Sequence, residues 1–242
     1  MKKGKIYIGT SGWHYKHWKQ VFYPDTVREP DQLAYYQSHF KTVEINNSFY
    51  HLPSPETFKA WRSAVAGDFV FSVKASRFFT HMKKLHVTKG DLQPFFKHVR
   101  QLKEKLGPVL FQLPPLWKVN PERLELLLQK LPRKYRYTFE FRNATWYDEQ
   151  IYALLKKYHC AFCIYHLDKH LSPLMVTADF VYVRLHGPAG KYQGRYRTPV
   201  LKTWMKRCKE WQADGKDVYV YFDNDQEGYA VANARTLSGM LE

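Results

Sequence analysis

No stretch of this sequence approaches the roughly 18 consecutive apolar residues of a membrane-crossing helix. Cysteine is scarce: Cys160, Cys163 and Cys208 are the three in 242 residues, and an odd number cannot all pair within the chain. A secreted protein normally avoids a leftover thiol, which argues against a disulfide-stapled extracellular fold. Met1-Lys2-Lys3-Gly4-Lys5 resembles the start of a secretory leader, but Ile6-Tyr7-Ile8 gives way at once to Gly9-Thr10-Ser11-Gly12, too short for an apolar leader core. A cytoplasmic location without a membrane partner is expected. Acidic residues are also short, 22 against 38 Lys plus Arg, for a net charge of +16. Such an excess attracts polyanions and says nothing about fold. Low-complexity segments and Pro/Gly-rich hinges are missing too, so one domain over residues 1–242 is expected, and nothing specifies a protein partner.

What the chain does have is an alternation of short β-rich runs with amphipathic stretches. The runs begin at Lys5, Thr42, Phe69, Pro108, Arg136, Ala161, Phe180 and Asp217. Helical patterns lie around Leu33 and over Phe58–Val65, Leu92–Leu106, Leu124–Leu131, Ile151–Tyr158, Leu201–Trp211 and Ala230–Leu241. A further one, around Leu171–Val176, is interrupted by Pro173. Strict strand–helix alternation predicts a parallel sheet.

Side chains alternate faces along a strand. One parity is apolar (Val43/Ile45, Phe71/Val73, Val181/Val183/Leu185), and the other is polar (Glu44/Asn46, Ser72/Lys74, Tyr182/Arg184/His186). A doubly wound sheet would show continuous apolar runs instead. A closed (β/α)8 barrel of the TIM type explains both faces, because its lumen is one shared inner surface.

Barrels of this type place their chemistry at the C-terminal strand ends. There the inward parity gives Glu44, Asn46, Lys74, Gln112, Glu140, Arg142, Arg184, His186, Tyr221 and Asp223. Glu44 and Glu140, on strands two and five, are acid/base candidates. Lys74 is a candidate proton carrier or Schiff-base amine, and His186 a proton carrier or phosphate donor. Arg142 and Arg184 suit bidentate anion binding. The competing reading is a structural plug in which Glu44, Lys74, Glu140 and Arg184 neutralise one another. Glu44, Glu140, His186 and Asp223 leave a divalent metal open, but Lys74, Arg142 and Arg184 would repel a cation, so neither metal nor cofactor is expected.

Two loops add candidates. Gly12-Trp13-His14-Tyr15-Lys16-His17-Trp18-Lys19 interleaves aromatic and basic residues, a pattern for stacking on bases or sugars or, equally, for a packed lid. His186 to Arg197 holds three glycines and three cations, Lys191 among them, and fits phosphate approach. Cys160 and Cys163 have redox spacing, yet run into a strand where positions three apart face opposite ways. The segment opening at Asp223 starts like a calcium loop, but its twelfth position is Ala234.

The strand-end motifs together resemble the domain of unknown function 72 (YecE-like) family. They are Gly9-Thr10-Ser11-Gly12-Trp13, Glu44-Ile45-Asn46-Asn47-Ser48-Phe49-Tyr50, Phe71-Ser72-Val73-Lys74 with Thr80-His81, Phe111-Gln112-Leu113-Pro114-Pro115, Glu140-Phe141-Arg142-Asn143-Ala144-Thr145-Trp146, Val183-Arg184-Leu185-His186-Gly187 and Tyr221-Phe222-Asp223-Asn224. The resemblance implies a TIM-type barrel with a cleft lined by these motifs, and brings no reaction with it. Asp223 stands where the family pattern leads one to expect Asn.

Three functional readings follow. The first is an enzyme-like site on a phosphate-bearing substrate, nucleic acid included, with Glu44, Glu140, Lys74 and His186 as chemical groups. Its binding groups are Trp13, Asn46, Tyr50, Gln112, Arg142, Arg184, Lys191, Tyr221 and Asp223. The others are a non-catalytic nucleic-acid binder, and a carbohydrate hydrolase using the paired carboxylates.

Overall fold

The computed structural model describes residues 3–241. The β-branched and aromatic runs form parallel strands β1 (Ile6–Thr10), β2 (Thr42–Ile45), β3 (Val70–Lys74), β4 (Leu106–Gln112), β5 (Tyr137–Glu140), β6 (Ala161–Leu167), β8 (Phe180–Leu185) and β9 (Asp217–Phe222). They run β1-β9-β8-β6-β5-β4-β3-β2. The ring closes where Ser11 bridges Glu44 and the Gly12 amide donates to the Glu44 carbonyl at 2.8 Å. Gly9 makes that seam feasible, since a Cβ there would lie 2.2 Å from the Thr42 carbonyl oxygen.

Between the strands lie α1 (Gln32–Gln37), α2 (Pro55–Ser63), α3 (Lys89–Val99), α4 (Pro121–Leu128), α5 (Glu149–Lys157), α6 (Thr198–Ala213) and α7 (Tyr229–Ser238). Local chemistry starts several of them. Ser54, Asn120 and Asp148 accept from backbone amides of the first turns of α2, α4 and α5, and Thr88 forms a capping box with Asp91 at α3.

Two expectations are corrected. The Leu171–Val176 segment is not a helix. The chain turns back at Asp168, which has φ 55°, and β7 (His170–Leu171) pairs antiparallel with β6. Ser172 then locks the turn, its amide donating to the Tyr165 carbonyl at 3.0 Å and its hydroxyl accepting from the Tyr165 amide at 2.9 Å. With Pro173 next, a helix would lose a donor in its first turns and gains nothing over this hairpin. The Leu92–Leu106 helix also ends early, at Val99. A 3-10 segment kinks at Lys103, with φ 49°, and Leu106 already belongs to β4.

The two parities separate as the alternation predicts. Val43, Phe71, Val109, Phe139, Ile164, Val183 and Val220 join the large core under the helices. A second cluster, containing Leu110, Ala161, Cys163, Tyr182, Tyr219 and Tyr221, fills the lumen. Cys160 lies in the outer core and Cys163 in the lumen, so the two thiols face apart. The lumen is layered. Tyr7 stacks on Tyr219 near the strand starts, with centroids 4.8 Å apart. Above them the Tyr221 hydroxyl meets those of Thr42 at 2.6 Å and Ser72 at 2.8 Å. The charged groups sit above that floor. Among the described residues no helix is long and apolar enough to cross a membrane.

Candidate functional site

Arg184, on β8, is 1% exposed and is the hub of the charged layer. Its Nε and Nη2 donate to Glu44 Oε2 and Oε1 at 3.0 and 2.7 Å, the bidentate fork that suits a guanidinium to a carboxylate. Nη1 donates to Glu140 Oε2 at 2.9 Å and Nη2 also to Asp223 Oδ2 at 3.1 Å. Burial disfavours its charge, but Glu44, Glu140 and Asp223 outweigh that and keep it cationic.

Glu44 is fully buried, and Ser11 Oγ and Tyr182 Oη complete its shell, donating at 2.7 and 2.6 Å. Burial next to Glu44 pushes the Tyr182 phenol well up, so it stays a donor. Burial would raise the Glu140 carboxyl, yet Arg142 and Arg184 hold it well below the usual range. Arg142 Nε donates to Glu140 Oε1, and its guanidinium lies over the Tyr165 ring, 4.7 Å from the centroid.

His186 is fully buried between opposite partners. Nδ1 lies 2.9 Å from Asp223 Oδ2, and Nε2 lies 2.8 Å from Arg142 Nη2. A carboxylate only accepts, so Nδ1 carries a proton towards Asp223, while Nε2 faces both the Arg142 guanidinium and, at 3.4 Å, Glu140 Oε1. Burial would raise the Asp223 carboxyl, but Arg184 and His186 bring it below its ordinary value.

Lys74 stands apart from this lattice. It is 8% exposed, and its ammonium lies 4.3 Å from the centroid of the Phe49 ring. Among the described residues no carboxylate comes within 4.0 Å of it to form an ion pair. Burial, with Arg184 adding repulsion, pulls its amine down to about 8 against the opposing pull of Asp223, Glu140 and Glu44. The plug therefore accounts for Glu44, Glu140 and Arg184 but leaves Lys74 out.

Two recesses are lined in part by the expected residues. One of about 430 Å³ is lined by Gln112, Arg142, Tyr147, Tyr165, Lys191 and Tyr192 among others. The other, about 570 Å³, is lined by residues including Trp13, Asn46, Tyr50 and Trp61. Tyr221 is placed differently from the other inward residues. It is fully buried in the lumen floor with its hydroxyl already paired, so it packs the barrel and does not reach the mouth.

The loop after β1 takes the packed-lid alternative of its two expected roles. Trp18 is buried and donates to Asp225 Oδ1 at 2.7 Å, so the loop after β1 is largely a lid tied to the loop after β9. In the loop after β8, the amides of Gly187, Ala189, Tyr192, Gln193 and Gly194 are spent on internal acceptors, which leaves the adjacent amides of Gly190 and Lys191 without an acceptor among the described residues. Its cation Lys191 is exposed beside Tyr192. Glu44, Glu140, His186 and Asp223 do converge, but on guanidinium nitrogens. Among the described residues no cluster of three or more metal-ligating side chains is vacant for an ion.

Sequence reasoning missed several residues, among them Ser11, Tyr165 and Trp61. Ser11 and Tyr165 follow from carrying the inward parity one step past β1 and along β6. Trp61 belongs to the amphipathic helix α2, and no local pattern marks it.

Comparison with known proteins agrees with this architecture. Over 98% of its length the chain is 26% identical to UPF0759 protein YunF of Bacillus subtilis, covering 95% of that protein. A crystal structure of a DUF72 family protein from Thermotoga maritima superposes with a TM-score of 0.86 at 30% identity, over 98% of this chain and 99% of that one. A second DUF72 structure, from Enterococcus faecalis, shares the fold at 20% identity with a TM-score of 0.85, over 98% and 95% of the two chains. The family model described as protein of unknown function DUF72 matches residues 7–242, and the chain belongs to that family.

Proposed function

We propose that the barrel mouth binds a substrate bearing a phosphate group and performs acid–base chemistry on it. The observation that carries this reading is Lys74, a largely buried lysine with no ion-pair partner among the described residues, beside an otherwise saturated lattice. A buried unpaired charge is costly and is relieved by a ligand of opposite sign. With its amine near 8, Lys74 takes or gives a proton close to neutral pH. Arg142 and Lys191, on the smaller recess, add the positive charge that an anionic group needs.

The remaining groups take supporting parts. Glu44 and Glu140 are held as ion pairs by one guanidinium, which makes them positioning residues for Arg184. A general acid must hold a proton at working pH, and Glu140 is pinned as the anion. That also counts against a glycosidase using these two carboxylates. His186, its Nδ1 held by Asp223, can pass a proton between the lattice and a bound group.

The test is calorimetric titration with inorganic phosphate and ribose 5-phosphate, on wild type and Lys74→Met. Saturable binding, weakened at least ten-fold in a folded variant, is expected. A wild type that binds neither probe removes the reading. Non-specific polyanion binding through the +16 surface is told apart by its steep salt dependence and its survival in Lys74→Met.

A further inference from the structure

The larger recess is left unused by the anion reading, and its lining has a different character. Trp13, Tyr50 and Trp61 supply aromatic walls, with Trp13 and Trp61 edge-to-face at 5.0 Å between centroids. Neither Lys nor Arg occurs among the described lining residues, and the acidic residue there is Glu29, so the recess is unsuited to a phosphate. Asn46 also lines it, and its Oδ1 is buried with no hydrogen-bond partner among the described residues. An orphaned buried acceptor is costly, and a ligand donor would satisfy it. The volume of about 570 Å³ falls in the range of small-molecule sites.

Lys74 lies beside this recess: its ammonium is 4.3 Å from the Phe49 ring centroid, and Phe49 packs edge-to-face on the lining residue Tyr50 at 5.0 Å between centroids. Glu44, two residues before Asn46 in the chain, is bonded to Arg184, Arg184 reaches His186 at 3.3 Å, and His186 reaches Arg142 on the rim of the cationic recess. The aromatic recess offers aromatic walls with two amides, Asn46 and Asn47, while the other offers cations.

We propose that the aromatic recess takes the planar heterocycle of a nucleotide, with an exocyclic amine donating to Asn46 Oδ1, while its phosphate faces Lys74. This rests on the phosphate reading above and names its substrate class. Aromatic side chains stack on any base, whereas an asparagine amide discriminates by its donor and acceptor edges, adenine being its usual partner. The nucleotide is either free or part of a strand, and the chemistry of the recess is the same for both.

Calorimetry with AMP, adenosine, ribose 5-phosphate and a ten-nucleotide adenylate strand tests the inference. AMP should bind at least ten-fold tighter than ribose 5-phosphate. Asn46→Leu and Tyr50→Ala should each erase that margin while changing ribose 5-phosphate affinity less than two-fold. Tyr50 is 65% exposed, so its truncation keeps the test valid even where Asn46→Leu fails to fold. A strand that outbinds AMP, with affinity falling steeply with salt, identifies nucleic acid as the source; AMP binding as tightly as the strand identifies the free nucleotide. Equal affinity for AMP and ribose 5-phosphate, or a margin that survives both variants, overturns the recess proposal and leaves the phosphate reading standing. Adenosine binding as tightly as AMP, with no binding of ribose 5-phosphate, upholds the recess and overturns the phosphate reading. No binding of any probe overturns both.

Discussion

Arg184 grips both carboxylate oxygens of Glu44, Nε on Oε2 at 3.0 Å and Nη2 on Oε1 at 2.7 Å, with both side chains almost wholly out of water. A buried ion pair is weak evidence of net stability, but breaking one side of it strands a charge. Arg184→Met strands Glu44, whose ion pair is with Arg184, while Glu140 keeps Arg142. It should cost about 3–5 kcal/mol in urea unfolding, and adding Glu44→Leu to Arg184→Met should recover part of that loss. A strictly additive double mutant would show that the pair is not coupled.

Lys74 should behave in the opposite way. Its folded amine lies near 8 against 10.5 for an ordinary lysine, so between those values the unfolded chain binds more protons and stability rises with pH. The penalty is full below pH 8, on the order of 3 kcal/mol by the usual conversion, and fades as pH rises through 10.5. Lys74→Met should therefore be more stable than wild type at pH 7, by about 1–3 kcal/mol, and the gap should narrow by pH 10. Urea unfolding at both pH values checks this; a variant less stable at pH 7 would contradict it.

Asp223 supports the Lys74 ammonium electrostatically and accepts a hydrogen bond from His186 Nδ1. Asp223→Asn removes the negative charge, so the Lys74 amine should fall further below about 8. The pH dependence of its reductive methylation, read by mass spectrometry, reports the shift. An unchanged or raised midpoint would mean that Asp223 does not act on Lys74.

Much of this site was legible because a strand has a period of two. The inward positions of the polar runs put Glu44, Lys74, Glu140, Arg184 and His186 at one end of the lumen. Parity tells which residues share a surface but not which pairs saturate one another. It could not distinguish Arg184, whose fork is consumed by carboxylates, from Lys74, which is left over. Tyr221 shows the same limit by depth: it has the inward parity, yet sits one layer too low. The helix expected around Leu171–Val176 failed because the backbone bonds of Ser172 to Tyr165 outweigh a short pattern interrupted by proline. Trp61 reaches the aromatic recess from a helix, and only tertiary packing places it there.

The most direct measurement is titration of ribose 5-phosphate into the wild type at pH 8.5, in two buffers of different ionisation enthalpy. An anion beside Lys74 raises its amine, so binding should take up protons, by a fraction of one proton per site, and Lys74→Met should lose both the uptake and most of the affinity. Binding without proton uptake, or unchanged in Lys74→Met, would contradict the assignment of the barrel mouth as a phosphate site built around Lys74.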